Sequence, residues 1–95
     1  VVFARNRHPV TANFRDSRFE LDPGRVGIKL SILVRKNPVI LQVAENYPPT
    51  FGDESYTGML LEQGLHSRIF PTPFTAFQVK LEDEGPADID FVAYE

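Results

Sequence analysis

Apolar residues recur at every second position between Arg25 and Arg35: Val26, Ile28, Leu30, Ile32 and Val34 alternate with Arg25, Gly27, Lys29, Ser31, Leu33 and Arg35. An extended chain turns successive side chains to opposite faces, so this segment predicts a strand with one buried face. Lys36-Asn37-Pro38 ends it, because Pro38 has no amide hydrogen and holds Asn37 in an extended conformation. Val39–Ala44 follows, apolar at both parities, and predicts a central strand covered on both sides.

The same rhythm returns near the other end. Phe77, Val79 and Leu81 alternate with Gln78, Lys80 and Glu82, and Ile89, Phe91 and Ala93 alternate with Asp88, Asp90, Val92 and Tyr94. Between the two runs, Asp83-Glu84-Gly85-Pro86 has turn chemistry, which predicts a terminal hairpin. Shorter strands are expected at Val2–Arg5, Val10–Phe14, Arg18–Leu21, Thr57–Leu61 and Leu65–Phe70, each bounded by Gly, Pro, Asn or Asp. Helical signals are nearly absent; the best is Tyr56–Leu65, where Met59, Leu60 and Leu61 cluster, and Gly58 and Gly64 limit it to about one turn. Nine short strands with frequent turns predict an all-β fold, a single antiparallel jelly-roll-like β-sandwich domain over residues 1–95. Its expected core is Ile28, Leu30, Ile32, Val34, Leu41, Val43, Phe77, Val79, Leu81, Ile89 and Phe91.

The residue types narrow the chemistry. With no Cys in the chain, disulfides, thiolate metal sites and cysteine nucleophiles are excluded, and a small domain without staples is expected in a reducing compartment or an oligomer. No apolar run approaches the roughly 18–20 residues of a membrane span, and the opening Val1-Val2-Phe3 leads into Arg5-Asn6-Arg7 without the apolar stretch or cleavage pattern of a secretory signal. His8 and His66 are the only imidazoles and lie far apart, without metal-ligand spacing, so they read as surface or turn residues. Ser67 follows His66 directly, but strand neighbours point to opposite faces, so the two do not form a base–nucleophile pair. Glu82-Asp83-Glu84 with Asp88 and Asp90 lacks the ordered spacing of a calcium loop and reads as a solvated turn, with Asp88 and Asp90 on one strand face open to a basic neighbour. We therefore expect no cofactor, no metal and no catalytic residue.

Phe3, Phe14 and Phe19 are interleaved with Arg5, Arg7, Arg15 and Arg18, a pattern that a single-stranded nucleic-acid surface uses. The net charge of −3 and the core-like alternation of the Phe residues argue against that partner. Two proline- and aromatic-rich segments stand out. Asn46-Tyr47-Pro48-Pro49-Thr50-Phe51 is a candidate rigid contact surface or sugar platform, and Phe70-Pro71-Thr72-Pro73-Phe74 is expected to close the end of the core.

Charge is sorted along the chain. Through Lys36 there are eight Arg or Lys against three acids, a balance of +5, whereas from Asn37 onward Arg68 and Lys80 oppose ten acids, a balance of −8. Two complementary surfaces on one chain would let copies attract one another. The expected interface pairs Arg5, Arg7, Arg15 and Arg18 with Glu82, Asp83, Glu84, Asp88 and Asp90, while Tyr47, Phe51 and Tyr56 supply apolar contact.

From Gly58 the chain reads Gly-Met-Leu-Leu-Glu-Gln-Gly, then Leu-His-Ser-Arg-Ile-Phe, Phe-Gln-Val-Lys-Leu-Glu, a turn, and Ile-Asp-Phe-Val-Ala-Tyr. This order resembles the second half of small jelly-roll domains of bacteriophage virion proteins. The resemblance implies a non-enzymatic structural protein, a capsid, vertex, cement or tail component, assembled in the host cytoplasm and partnered by copies of itself and other virion proteins. It carries over no functional residues. Cupins are similar in strand order alone, since their His-rich metal motifs are missing; a metal enzyme of that kind would have to bind through His8 or His66. The other reading open to the sequence is a carbohydrate- or peptide-binding module built on Tyr47, Phe51 and Tyr56.

Overall fold

The computed structural model describes residues 1–51 and 58–95. Its strands are β1 (Phe3–Val10), β2 (Arg18–Glu20), β3 (Gly27–Lys36), β4 (Val39–Ala44), β5 (Met59–Leu61), β6 (Gly64–Phe74), β7 (Ala76–Leu81) and β8 (Ala87–Tyr94), with a 3-10 turn over Phe14–Ser17 before β2. They form two four-stranded sheets, ordered β1-β8-β3-β6 and β2-β7-β4-β5. Every pairing is antiparallel, and β1 pairs with β8, β2 with β7, β3 with β6 and β4 with β5. The pairs nest in chain order, as in one long hairpin rolled up, so that β8 also meets β3 and β7 also meets β4. That strand order makes the fold an all-β antiparallel jelly roll.

One apolar cluster fills the space between the sheets. Leu30, Ile32 and Val34 of β3 and Ile89, Phe91 and Ala93 of β8 face Leu41 of β4 and Phe77 and Val79 of β7, with Val43 and Leu81 packed half-buried at its margin. The aromatic centre is Phe91, with its ring centroid 4.5 Å from Phe19, 4.9 Å from Phe77 and 5.7 Å from Phe3. Offset and edge-on ring pairs of this kind add about 0.5–1.5 kcal/mol each beyond area burial. β4 is the central strand its two apolar faces predicted, between β7 and β5.

Four sequence expectations change. Ile28 is on the core parity, yet it is 41% exposed. The register breaks there: Gly27 pairs with Phe74 but Lys29 pairs with Ile69, leaving Ile28 opposite a four-residue bulge that contains Pro71 and Pro73, neither of which can donate a ladder hydrogen bond. Val10–Phe14 is not a separate strand; Val10 ends β1, and the Asn13 side chain accepts from the Arg15 N–H at 2.9 Å, capping the 3-10 turn. Leucines 60 and 61 lie in strand, not helix.

The fourth change is topological. β7 and β8 do not form a hairpin, because they belong to opposite sheets and the Glu82–Pro86 turn crosses the sandwich between them. Gly85 takes φ +109°, and Asn37 Nδ2 donates to the Pro86 carbonyl at 2.7 Å, tying this turn to the β3–β4 corner. Turn residues specify that the chain reverses; which sheet the return strand joins depends on where its apolar face finds the core.

Candidate functional site

Alternation along β8 turns Ile89, Phe91 and Ala93 inward, so Asp88, Asp90, Val92 and Tyr94 lie on the outer face of the β1-β8-β3-β6 sheet. Arg35 of β3, on the same face, donates from Nη1 and Nη2 to the two carboxylate oxygens of Asp90 at 2.7 and 2.6 Å. From the other flank, a bulge between Arg5 and His8 holds Arg7 at φ +51°, and its backbone N–H donates to Asp90 Oδ1 at 2.7 Å. The Arg35 hydrogen bonds, then that of Arg7, hold the Asp90 carboxyl down to about 2, and Arg35 is raised in turn. Asp88 lies 3.9 Å from Arg7 Nη1 and 4.0 Å from Arg35 Nη1. The basic and acidic halves of the sequence therefore meet first within one copy, because β1 and β3 flank β8. Arg35 was not among the residues singled out from the sequence; its parity, opposite Asp88 in the ladder, was the signal that would have found it.

The remaining predicted residues are dispersed. The Arg5 guanidinium lies 4.7 Å from the Phe3 ring centroid, and Arg15 stands exposed on the 3-10 turn. Arg18 donates from Nε to Gln78 Oε1 at 2.9 Å and covers the Phe51 ring at 4.9 Å. Gln78 is fully buried and donates to Gln42 Oε1 at 2.7 Å, so a polar row Arg18–Gln78–Gln42 runs across β2, β7 and β4 in register. Neither Gln was recognisable from sequence as more than an outward polar position. Tyr47 is 66% exposed, and Tyr56 lies outside the described residues. Glu82, Asp83 and Glu84 are exposed at the end of the sandwich opposite Ala44, where β4 ends.

The histidines stay apart. His8 packs edge-on to Phe19 at 4.9 Å with Nε2 3.0 Å from Ser17 Oγ, and burial, then Arg5, lowers its pKa. Ser17 is itself fully buried, which removes it as an accessible nucleophile. His66 Nε2 donates to the Glu62 carbonyl at 2.6 Å. No cluster of three His, Asp or Glu suited to a metal occurs among the described residues. His66 and Arg68 frame a dent over Leu30, Ile32, Leu41 and Leu61 of about 10 Å³, room for a single water. Phe3, Phe14 and Phe19 all pack inward, which takes from the N-terminal segment the rings a nucleic acid would stack on.

At the edge of the same sheet, β6 projects Leu65 and Ile69 outward, 71% and 77% exposed, on either side of Ser67, whose hydroxyl lies 2.8 Å from that of Ser31. These are the most exposed large apolar side chains within any strand of the described structure.

Fold and surfaces together define a jelly-roll domain with a charge-matched outer face and an apolar edge strand. No protein-family model matches the sequence, and no curated protein or solved structure matches it either. Among the described residues no helix is long and apolar enough to cross a membrane.

Proposed function

We propose that this chain is a non-enzymatic structural subunit that works through protein–protein contacts in a symmetric assembly, and that the assembly is a virus particle in which it serves as a capsid, vertex, cement or tail component. The observation that carries this reading is the apolar edge of the rolled sandwich. A jelly roll spends its inner faces on its own core, so Leu65 and Ile69 in an edge strand are left for another chain. The exposed Glu82-Asp83-Glu84 turn and the exposed Arg15 supply orienting charge at about 0–1 kcal/mol per exposed pair. Jelly rolls serve viral shells, lectins and cupins alike; the resemblance of the C-terminal sequence to phage virion domains supports the first of these.

Mass determination in solution, followed by electron microscopy of the concentrated protein, tests the reading. Masses above one copy at 0.1 M salt and particles of uniform symmetry are expected. Association oriented by charge should weaken as the Debye length falls from about 10 Å to about 3 Å at 1 M salt. A single-copy mass at every concentration and salt level would overturn the proposal.

The exposed ring of Tyr47, four residues before the Arg18-covered ring of Phe51, favours a second reading, a carbohydrate- or peptide-binding module. Glycan-array binding by the monomer, lost in Tyr47→Ala, is its signature.

A further inference from the structure

The two sheets have four edges, and they are not equally protected. β2 and β5 are edge strands of three residues each, too short to template another strand. β1 is eight residues long, but a bulge between Arg5 and His8 breaks its register, and Pro9 removes a donor. Between Gly64 and Phe70, β6 has neither a bulge nor a proline, and its one charge is Arg68; Pro71 and Pro73 set a limit only at its far end. The unguarded stretch is also the one bearing Leu65 and Ile69.

We infer that the Gly64–Phe70 edge pairs with the same edge of a second copy, antiparallel, about a two-fold axis through Ser67, joining two four-stranded sheets into one of eight strands. This inference rests on the assembling-subunit reading and names its surface. The register follows from the spacing. With Ser67 opposite Ser67, Leu65 of each copy faces Ile69 of the other, giving two identical apolar cross-strand pairs. Arg68 then faces the imidazole of His66 and not a second Arg or Lys. The competing arrangement, β6 of one copy against β1 of the next, would bring Arg68 toward Arg5 and Arg7, and like charges on adjoining strands are destabilising. Charge therefore selects the closed two-fold pair over an open chain of sheets.

Size sets the strength. Seven residues at about 3.4 Å per residue give an edge of about 24 Å, and with a sheet thickness of about 10 Å the pair buries on the order of 500 Å² in total. A stable free-standing interface needs about 1,200 Å² or more. The contact is a weak one, suited to copies already held close by other contacts of an assembly, where high effective concentration compensates for low affinity.

The test uses substitutions at exposed positions, so folding is preserved and is checked by circular dichroism. Sedimentation at rising concentration should show a monomer–dimer equilibrium for the unmodified chain. In Leu65→Lys/Ile69→Lys, ammonium groups face each other across the axis, and the association constant should fall at least about tenfold at 0.1 M salt. In Leu65→Glu/Ile69→Lys, the introduced carboxylate of one copy faces the introduced ammonium of the other, and association should recover. The chain has no Cys, so Ser67→Cys gives a clean cross-link. Facing Cα atoms at about 4.5–5.5 Å lie within disulfide range, and oxidation should yield a covalent dimer. Ser31→Cys, one strand in from the edge, should not. A double-lysine variant that associates like the unmodified chain would overturn the β6 contact and leave the assembling reading intact, whereas an unmodified chain that stays monomeric at millimolar concentration would overturn both.

Discussion

The guanidinium of Arg35 and the carboxylate of Asp90 meet edge to edge on the outer face of one sheet, through hydrogen bonds of 2.7 and 2.6 Å, although 55 residues separate them in the chain. Asp90 belongs to the acidic half of the sequence and Arg35 to the basic half. Because β1 and β3 lie on either side of β8, part of the charge segregation visible in the sequence is neutralised inside each copy. Exposed charges outside these pairs, among them the Glu82–Glu84 turn and Arg15, are left for a partner.

Asp90 gives the domain an acid limit. Its carboxyl is held near 2 against an ordinary 3.8, so the folded state binds fewer protons than the unfolded one over that interval. Its contribution is complete above about pH 4 and is lost as pH falls toward 2. In Asp90→Asn, urea midpoints should be lower at pH 5 and should lose the part of their decline between pH 4 and 2 that the unmodified chain shows. An unchanged decline would remove Asp90 as its source.

His8 acts in the same direction at milder pH. Burial and the nearby Arg5 lower its pKa below 6.5, so the neutral ring is the one the fold accommodates. Stability from this group is present above pH 6.5 and falls as pH drops below that value. The His8 imidazole followed by NMR should titrate with a midpoint below 6.5, and His8→Asn should flatten the stability slope between pH 7 and 5. A midpoint at or above 6.5 would contradict the packing of its ring on Phe19 and Ser17.

Gly27 has a steric role. A Cβ there would overlap the Phe74 ring, which is fully buried and closed in by the edge-on rings of Phe70 and Phe77 at 5.3 and 6.3 Å. Gly27→Ala should destabilise the domain by about 1–3 kcal/mol through overpacking. Phe74→Leu alone should also destabilise, but the double variant should lose less than the sum of the two, since the smaller side chain vacates the space. Strict additivity in thermal or urea unfolding would show that the contact is relieved elsewhere.

Strand content, the inward parity of Leu30, Ile32, Val34, Ile89 and Phe91, and the central position of β4 are legible in the amino-acid order, because period-two alternation and turn residues are local properties that survive any packing. That order also placed Phe74 at the core and separated His66 from Ser67 by face. Partnership is not local in this way. That β7 and β8 lie in opposite sheets, that Arg35 meets Asp90, that Gln78 is buried between Arg18 and Gln42, and that Ile28 is turned out at a bulge all depend on which strands become neighbours. The same holds for the exposed apolar edge: Leu65 and Ile69 read as ordinary strand residues until the roll leaves β6 at the margin of its sheet. A strand's own residues state which face is apolar, while the competition of all strands for a single core decides which edge is left unpaired.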